Sequence, residues 1–198
     1  MKKILFATEN RGKLDEVLPL LCLPSLSIIS TDSFSKKLDV EETGKTFEEN
    51  AQIKAQAYYE TFGLPTFADD SGLVVDALGG RPGIYSSRYG GKNLPFKEKI
   101  VMLLEELKDV PQEKRTARFV SVIVYIDEKK KMTTFEGICD GRIDFQPKGH
   151  NGFGYDPIFY LPSLQKNMGE LSLEEKNHIS HRAQAIKKFR EFLIKSMP

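Results

Sequence analysis

Apolar and polar positions follow two rhythms along this chain, one of period two and one of period 3.6, and each predicts its own elements. Lys3 to Ala7 is a short apolar run and reads as a buried first strand. The polar loop Thr8-Glu9-Asn10-Arg11-Gly12-Lys13 follows it. From there a helix is predicted to about Leu21, because Leu14, Val17, Leu18 and Leu21 recur on one face, with Asn10 as its N-cap. Ser27 to Thr31 reads as a second strand, and residues 32 to 46 as a polar loop that carries Glu41 and Glu42. Thr46 and Glu49 frame a capping box, so a helix should run from there to Phe62 and stop at Gly63. Its stripe is Phe47, Ala51, Ala55, Tyr58 and Phe62, while Asn50 and Lys54 share another face one turn apart.

The segment Pro65-Thr66-Phe67-Ala68-Asp69-Asp70-Ser71-Gly72 is apolar on entry and leads into Leu73-Val74-Val75. Neighbouring side chains of an extended segment point to opposite faces, so only one of Asp69 and Asp70 can enter a given cleft. Asp-Ser-Gly is ordinary turn chemistry, and a hairpin turn there is one reading. An acid at a strand end that holds a hard cation through its oxygens is the other. Further on, Ser86 to Gly91 reads as a loop over a ligand. Pro95 opens a helix whose apolar face is Phe96, Ile100, Leu103, Leu104 and Leu107. Alternation from Arg115 to Asp127 is the strongest strand signal, and Met132 to Ile143 reads as its antiparallel partner.

Two later stretches are dense in chemistry. Lys148 to Pro157 packs glycines around Phe153, Tyr155 and Asp156. A flat ligand can stack on either aromatic, or both rings can belong to the core. Ser172-Leu173-Glu174-Glu175 is another capping box, and Ser180 caps a last helix with Ile186, Phe189 and Leu193 inward. That places His181 and Arg182 in a first turn, where cations are disfavoured by the helix dipole. Such a local conflict points to an anionic or polar ligand for the pair, and two surface cations are the other reading.

Composition narrows the class. The chain has 198 residues, 40% hydrophobic and 29% charged, with a formal net charge of +1. This supports one domain over 1–198 with a sizeable core, and it offers no basic field for nucleic acid. Cys22 and Cys139 read as reduced core thiols, not a metal cluster. The N-terminal apolar run is too short for a membrane span, which leaves a cytoplasmic protein as the expectation. A strand, polar loop and helix start in that order also make an anion site, to which Lys13 adds a charge.

Five motifs then occur in order: Ala7-Thr8-x-Asn10-x-Gly12-Lys13, Phe47-x-Glu49-Asn50-Ala51-x-x-Lys54-Ala55, Ala68-Asp69-Asp70-Ser71-Gly72-Leu73, Gly152-Phe153-Gly154-Tyr155-Asp156-Pro157 and Ile179-Ser180-His181-Arg182. Together they resemble the inosine triphosphate pyrophosphatase family in its bacterial and archaeal form. The chain departs from the family pattern at Glu9, where many members have glycine, and over Asn167 to Leu171. The resemblance implies an α/β fold with an elongated mixed β-sheet flanked by helices, and two lobes about a central cleft. It implies a homodimer that hydrolyses ITP, dITP and XTP to the monophosphate and pyrophosphate with Mg²⁺, Mn²⁺ being a plausible substitute. Phosphate contacts are then expected from Thr8, Asn10, Lys13, Lys54 and Lys176, with Glu9, Arg11, Gly12 and Ser71 also in the substrate site. Glu42 and Asp70 would hold the metal, with Asp70 also activating water. Phe153, Gly154, Tyr155, Asp156, His181 and Arg182 would read the purine. The rival expectations are a nucleotide-binding module without turnover and a pyrophosphatase for modified pyrimidine triphosphates. Neither a nucleic-acid nor a membrane partner is expected.

Overall fold

The computed structural model describes residues 1–196. Its backbone forms a mixed seven-stranded sheet with five α-helices among the described residues. In chain order these are β1 (Lys2–Phe6), α1 (Arg11–Leu20), β2 (Leu26–Ser30), α2 (Phe47–Phe62), β3 (Thr66–Val75), α3 (Phe96–Glu106), β4 (Thr116–Ile126), β5 (Met132–Ile143), β6 (Phe159–Leu161), β7 (Lys166–Asn167), α4 (Leu173–Ile179) and α5 (His181–Ser196). The strand order is β2-β1-β3-β4-β5-β6-β7. β1 runs parallel to both β2 and β3, whereas β6 is antiparallel to β5 and β7.

The chain divides into two compact units. The first takes Met1–Asp70, Ser121–Gly137 and the chain from Arg182; the second takes Ser71–Val120 and Ile138–His181. In the first unit, α1 connects the parallel strands β1 and β2. Asn10 caps α1 as predicted, its side chain accepting the Lys13 N–H. The inward face of α1 is Leu14, Glu16 and Val17, and Leu18 is exposed instead of buried. The core joins Ile4, Phe6, Val17, Phe67, Ile123, Tyr125, Ile186, Phe189 and Leu193. Phe6 and Phe67 stack with centroids 4.3 Å apart, an offset that aromatic pairs favour. Thr46 caps α2 and Gly63 ends it in the left-handed region, both as the sequence predicts. The reciprocal arm of that cap goes elsewhere: Glu49 accepts from Lys45 N–H, not from Thr46.

The second unit builds its core from Leu73, Val75, Ile100, Leu103, Leu107, Phe119, Ile143, Tyr155, Phe159 and Met168. Pro95 is the N-cap of α3, one residue before the helix. The buried Arg115 guanidinium donates to the carbonyls of Leu107, Ile143 and Asp144, which places a cation at the carbonyl end of α3.

Two local expectations change. No turn forms at Asp69-Asp70-Ser71-Gly72; β3 runs through all four residues, because the apolar positions on both sides keep the backbone in the sheet. Cys22 is exposed, since it follows the last turn of α1 and escapes the core, while Cys139 is buried.

Candidate active site

In the first unit the site grows from three pieces of backbone. The end of β1 delivers Thr8, whose carbonyl accepts from Thr31 Oγ1 at 2.8 Å and whose hydroxyl accepts from Asn10 N–H at 3.2 Å. These bonds fix the loop that opens α1. Glu9 and Arg11 are exposed, Gly12 is half-buried, and Lys13 reaches inward. Its Nζ lies 2.7 Å from Asp69 Oδ2 and 2.9 Å from the Asp69 carbonyl. Lys54, from α2, approaches the same carbonyl at 3.2 Å and pairs with Glu42 Oε1 at 2.5 Å. Two ammonium groups therefore converge on one carbonyl oxygen of β3.

Asp69 and Asp70 face opposite ways, and their environments push them in opposite directions. Asp69 is buried, which opposes its charge, but Lys13 and Arg182 outweigh that, with hydrogen bonds from Lys13 and Ser121, and hold its carboxyl well below the usual range. Ser121 Oγ donates to Asp69 Oδ1 at 2.5 Å. Asp70 is 6% exposed, and its Oδ2 has no hydrogen-bond partner among the described residues. Burial pushes its carboxyl up, Glu42 and Asp69 add to the rise, and Lys13 and Lys54 counter only part of it.

Arg182 corrects a sequence expectation. Its guanidinium is 2% exposed and lies against Asp69 Oδ2 and Glu16, so the anionic group it meets in the first turn of α5 is the protein's own carboxylate pair. Its dipole conflict is resolved internally. Glu16 and Ser121 were not singled out from sequence. Ser121 had a signal, a hydroxyl inside an otherwise apolar strand; Glu16 had none, since it lies off the apolar stripe that periodicity marks on α1.

In the second unit the glycine-rich loop closes on Asp156. Phe153 N–H donates to Asp156 Oδ2 at 2.8 Å, and Lys176 from α4 pairs with the same oxygen. Gly152 adopts φ +72°, and a Cβ there would fall 2.1 Å from Asp156 Oδ2, so the turn needs glycine on two grounds. The Lys176 Nζ also stands 5.1 Å from the Phe153 ring centroid, within cation–π range. Lys176 thus sits with the aromatic loop of the second unit and is buried, whereas the phosphate-holding set was expected to include it. Asp156 is likewise buried, with Oδ2 accepting two donors.

The two aromatics separate cleanly. Tyr155 is 2% exposed, packs edge-on to Phe96 and donates its hydroxyl to the Ser86 carbonyl at 3.1 Å. It is a core residue, which corrects its expectation as a stacking face. Phe153 and Gly154 are half-buried, so Phe153 keeps exposed ring surface. His181 is buried and stacks on Phe119 with centroids 4.8 Å apart. Ser71 is half-buried in β3. The loop after Ser86 covers no ligand face by its first residue: Ser86 Oγ accepts from Leu73 N–H at 2.9 Å.

Comparison with known proteins gives a consistent pattern. The model of the Ham1 family matches residues 4–192. The dITP/XTP pyrophosphatase of Halalkalibacterium halodurans is 48% identical over 193 residues, covering 98% of this chain and 100% of that protein. That of Geobacillus kaustophilus is also 48% identical, over 96% of this chain and 94% of its own. Among solved structures, the Staphylococcus aureus Ham1 protein superposes with a TM-score of 0.90 at 42% identity, covering 99% of this chain and 100% of that one. A HAM1 protein from Coxiella burnetii gives the same TM-score at 44% identity, covering 98% and 100%.

Proposed function

The chain belongs to the Ham1 family, and from that premise we propose that it hydrolyses the non-standard purine nucleoside triphosphates ITP, dITP and XTP to the monophosphate and pyrophosphate. One observation carries the reading at the level of residues. Lys13 and Lys54 converge on the Asp69 carbonyl, beside an acid, Asp70, that is buried with an unpartnered oxygen. The two ammonium groups give a polyanion its cations, and a bound cation supplies the partner that Asp70 Oδ2 lacks.

A divalent metal fits this site. Asp70 Oδ2 is an orphaned buried acceptor, and Glu42 acts on Asp70 as a near like charge. No cluster of three or more metal-ligating side chains occurs among the described residues. Two carboxylates with water and phosphate completing the shell is the manner in which Mg²⁺ is bound. We assign Glu42 and Asp70 to Mg²⁺, which when bound supplies charge neutralisation and orientation at the phosphates. Lys13 and Lys54, with the Thr8–Gly12 loop and its backbone N–H groups, hold the phosphate oxygens. Asp70 takes the proton of the attacking water. Positioning and charge stabilisation do most of the work in such a transfer.

Base selection rests on the second unit. Phe153 offers the stacking face, and His181 with backbone N–H groups donates to the purine 6-oxygen. Adenine carries a donor at that position and would leave those groups unpaired, a loss that reaches several orders of magnitude in kcat/KM. Arg182 and Lys176 act one step back, by holding Asp69 and Asp156. Phe153→Ala should raise KM for ITP by roughly 5- to 150-fold, the worth of about 1–3 kcal/mol of base stacking. Steady-state pyrophosphate release checks this, and an unchanged KM would move the stacking face elsewhere.

A homodimer in the cytoplasm completes the proposal, carried by the family resemblance; light scattering tests the first half. Among the described residues no helix is long and apolar enough to cross a membrane. The deciding experiment measures pyrophosphate release from ITP, XTP, GTP, ATP and dUTP, with Mg²⁺ and with chelator. Metal-dependent release from ITP and XTP in preference to the others is expected. Tight ITP binding without release would make the protein a binding module, and preference for dUTP a pyrimidine enzyme.

A further inference from the structure

We propose that Asn50 is a positioning residue for Glu42, latching the loop that carries this acid to α2 independently of Lys54. The inference rests on the metal assignment made above. From Glu42 to Lys45 the chain lies along the start of α2 and is fastened there at three points. Lys45 N–H donates to Glu49 Oε2 at 2.6 Å, Gly44 N–H donates to Asn50 Oδ1 at 2.8 Å, and Glu42 Oε1 meets Lys54 Nζ at 2.5 Å.

The three fastenings differ in what can undo them. Lys45 and Glu49 are exposed, so water competes for their bond. The Lys54 bridge ends on the carboxylate that a metal ion takes, so it weakens when the site is loaded. Asn50 is fully buried, and its bond to Gly44 involves neither partner of that bridge. It alone of the three is both shielded from water and unaffected by metal.

Two details show what the amide is for. Asn50 Nδ2 is buried and has no partner among the described residues. Burying an unpaired amide donor is unfavourable, and an apolar side chain would fill the space without that cost. What the apolar residue lacks is the acceptor for Gly44. On the loop side, a Cβ at Gly44 would fall 2.7 Å from Asn50 Oδ1, 2.7 Å from Glu49 Cβ and 2.9 Å from Asn50 N. The loop therefore lies flat on the helix, and the latch closes over a residue without a side chain.

The test is a Mn²⁺ titration of the substrate-free full chain, read by water-proton relaxation, alongside the Mg²⁺ dependence of pyrophosphate release. Asn50→Leu should weaken Mn²⁺ binding and raise the half-saturating Mg²⁺ by a common factor of roughly 10 to 100, the usual cost of losing a group that orients a ligand. At saturating Mg²⁺ its KM for ITP should stay within about twofold of wild type, since the phosphate and base contacts are untouched. Gly44→Ala should give the same signature from the other side of the bond, and it serves if Asn50→Leu does not fold. Variants that melt lower but bind Mn²⁺ as wild type does would reduce Asn50 to a structural residue and overturn the latch. A wild-type chain that releases pyrophosphate yet binds no Mn²⁺ would remove the metal assignment, and the latch with it.

Discussion

Asp70→Asn should lower kcat for ITP by about three orders of magnitude or more, the scale on which losing a group that stabilises transition-state charge is felt, and at the same time raise the Tm of the metal-free protein. The two effects share one cause. Asp70 is buried, has a carboxylate oxygen with no partner and is pushed toward its neutral form by burial, Glu42 and Asp69. A group whose folded pKa is raised supports the fold below its unfolded pKa, and that support is lost as pH rises through the folded value. At neutral pH the wild-type protein therefore carries a charged carboxylate at a cost, and the isosteric amide removes it. The Tm gap between variant and wild type should close as pH is lowered toward about 4, the ordinary aspartate value. Calorimetry across pH, with pyrophosphate release at one pH, checks both halves. Retained turnover, or a lower Tm in the variant, would sink the assignment of Asp70 to metal and water.

Its neighbour should behave in the opposite way. Asp69→Asn is expected to cost about 3–5 kcal/mol of stability at pH 7, the usual result of breaking a buried ion pair by removing one partner. Lys13 and Arg182 both lean on this carboxylate, and neither is exposed enough for water to replace it. Here the folded pKa is depressed, so the stabilisation is present above the unfolded value and is lost as pH falls. Urea unfolding at pH 7 measures the loss, and soluble yield does so if the variant does not survive purification. A cost under about 1 kcal/mol, as seen for exposed pairs, would show that water reaches the cluster. Two adjacent aspartates thus divide the labour: one is used by the fold, the other is spent by it at the site.

Much of this was legible in the sequence wherever the determinants are local. Asn10, Thr46 and Gly63 mark their helix ends by chemistry within one turn, and the opposite facing of Asp69 and Asp70 follows from strand geometry alone. Lys13 and Lys54 could be named because each sits beside a recognisable loop or helix face. The failures lie where the partner is remote. Arg182 looked like a ligand-reading cation because Asp69 and Glu16 stand 113 and 166 positions away. No periodicity reports such a pairing. Phe153 and Tyr155 occupy one motif with equal claims, and only the Ser86 carbonyl, 69 positions from Tyr155, decides between them. Glu16 was masked for the same reason: off the stripe of α1 an acid reads as solvated until its counterion is found.

α5 brings Ala185, Ile186, Phe189 and Leu193 to a buried cluster otherwise drawn from residues up to Tyr125. Chains are made from the N-terminus, and domains usually fold in that order. The division of this chain predicts the opposite order. β1 is made before any residue of the second unit, yet the first unit lacks part of its core, and Glu16 its guanidinium, until α5 is made. The second unit, which ends at His181, has all its residues earlier. Begun later, it can close first, and α5 is then expected to dock onto a core whose other parts are already made.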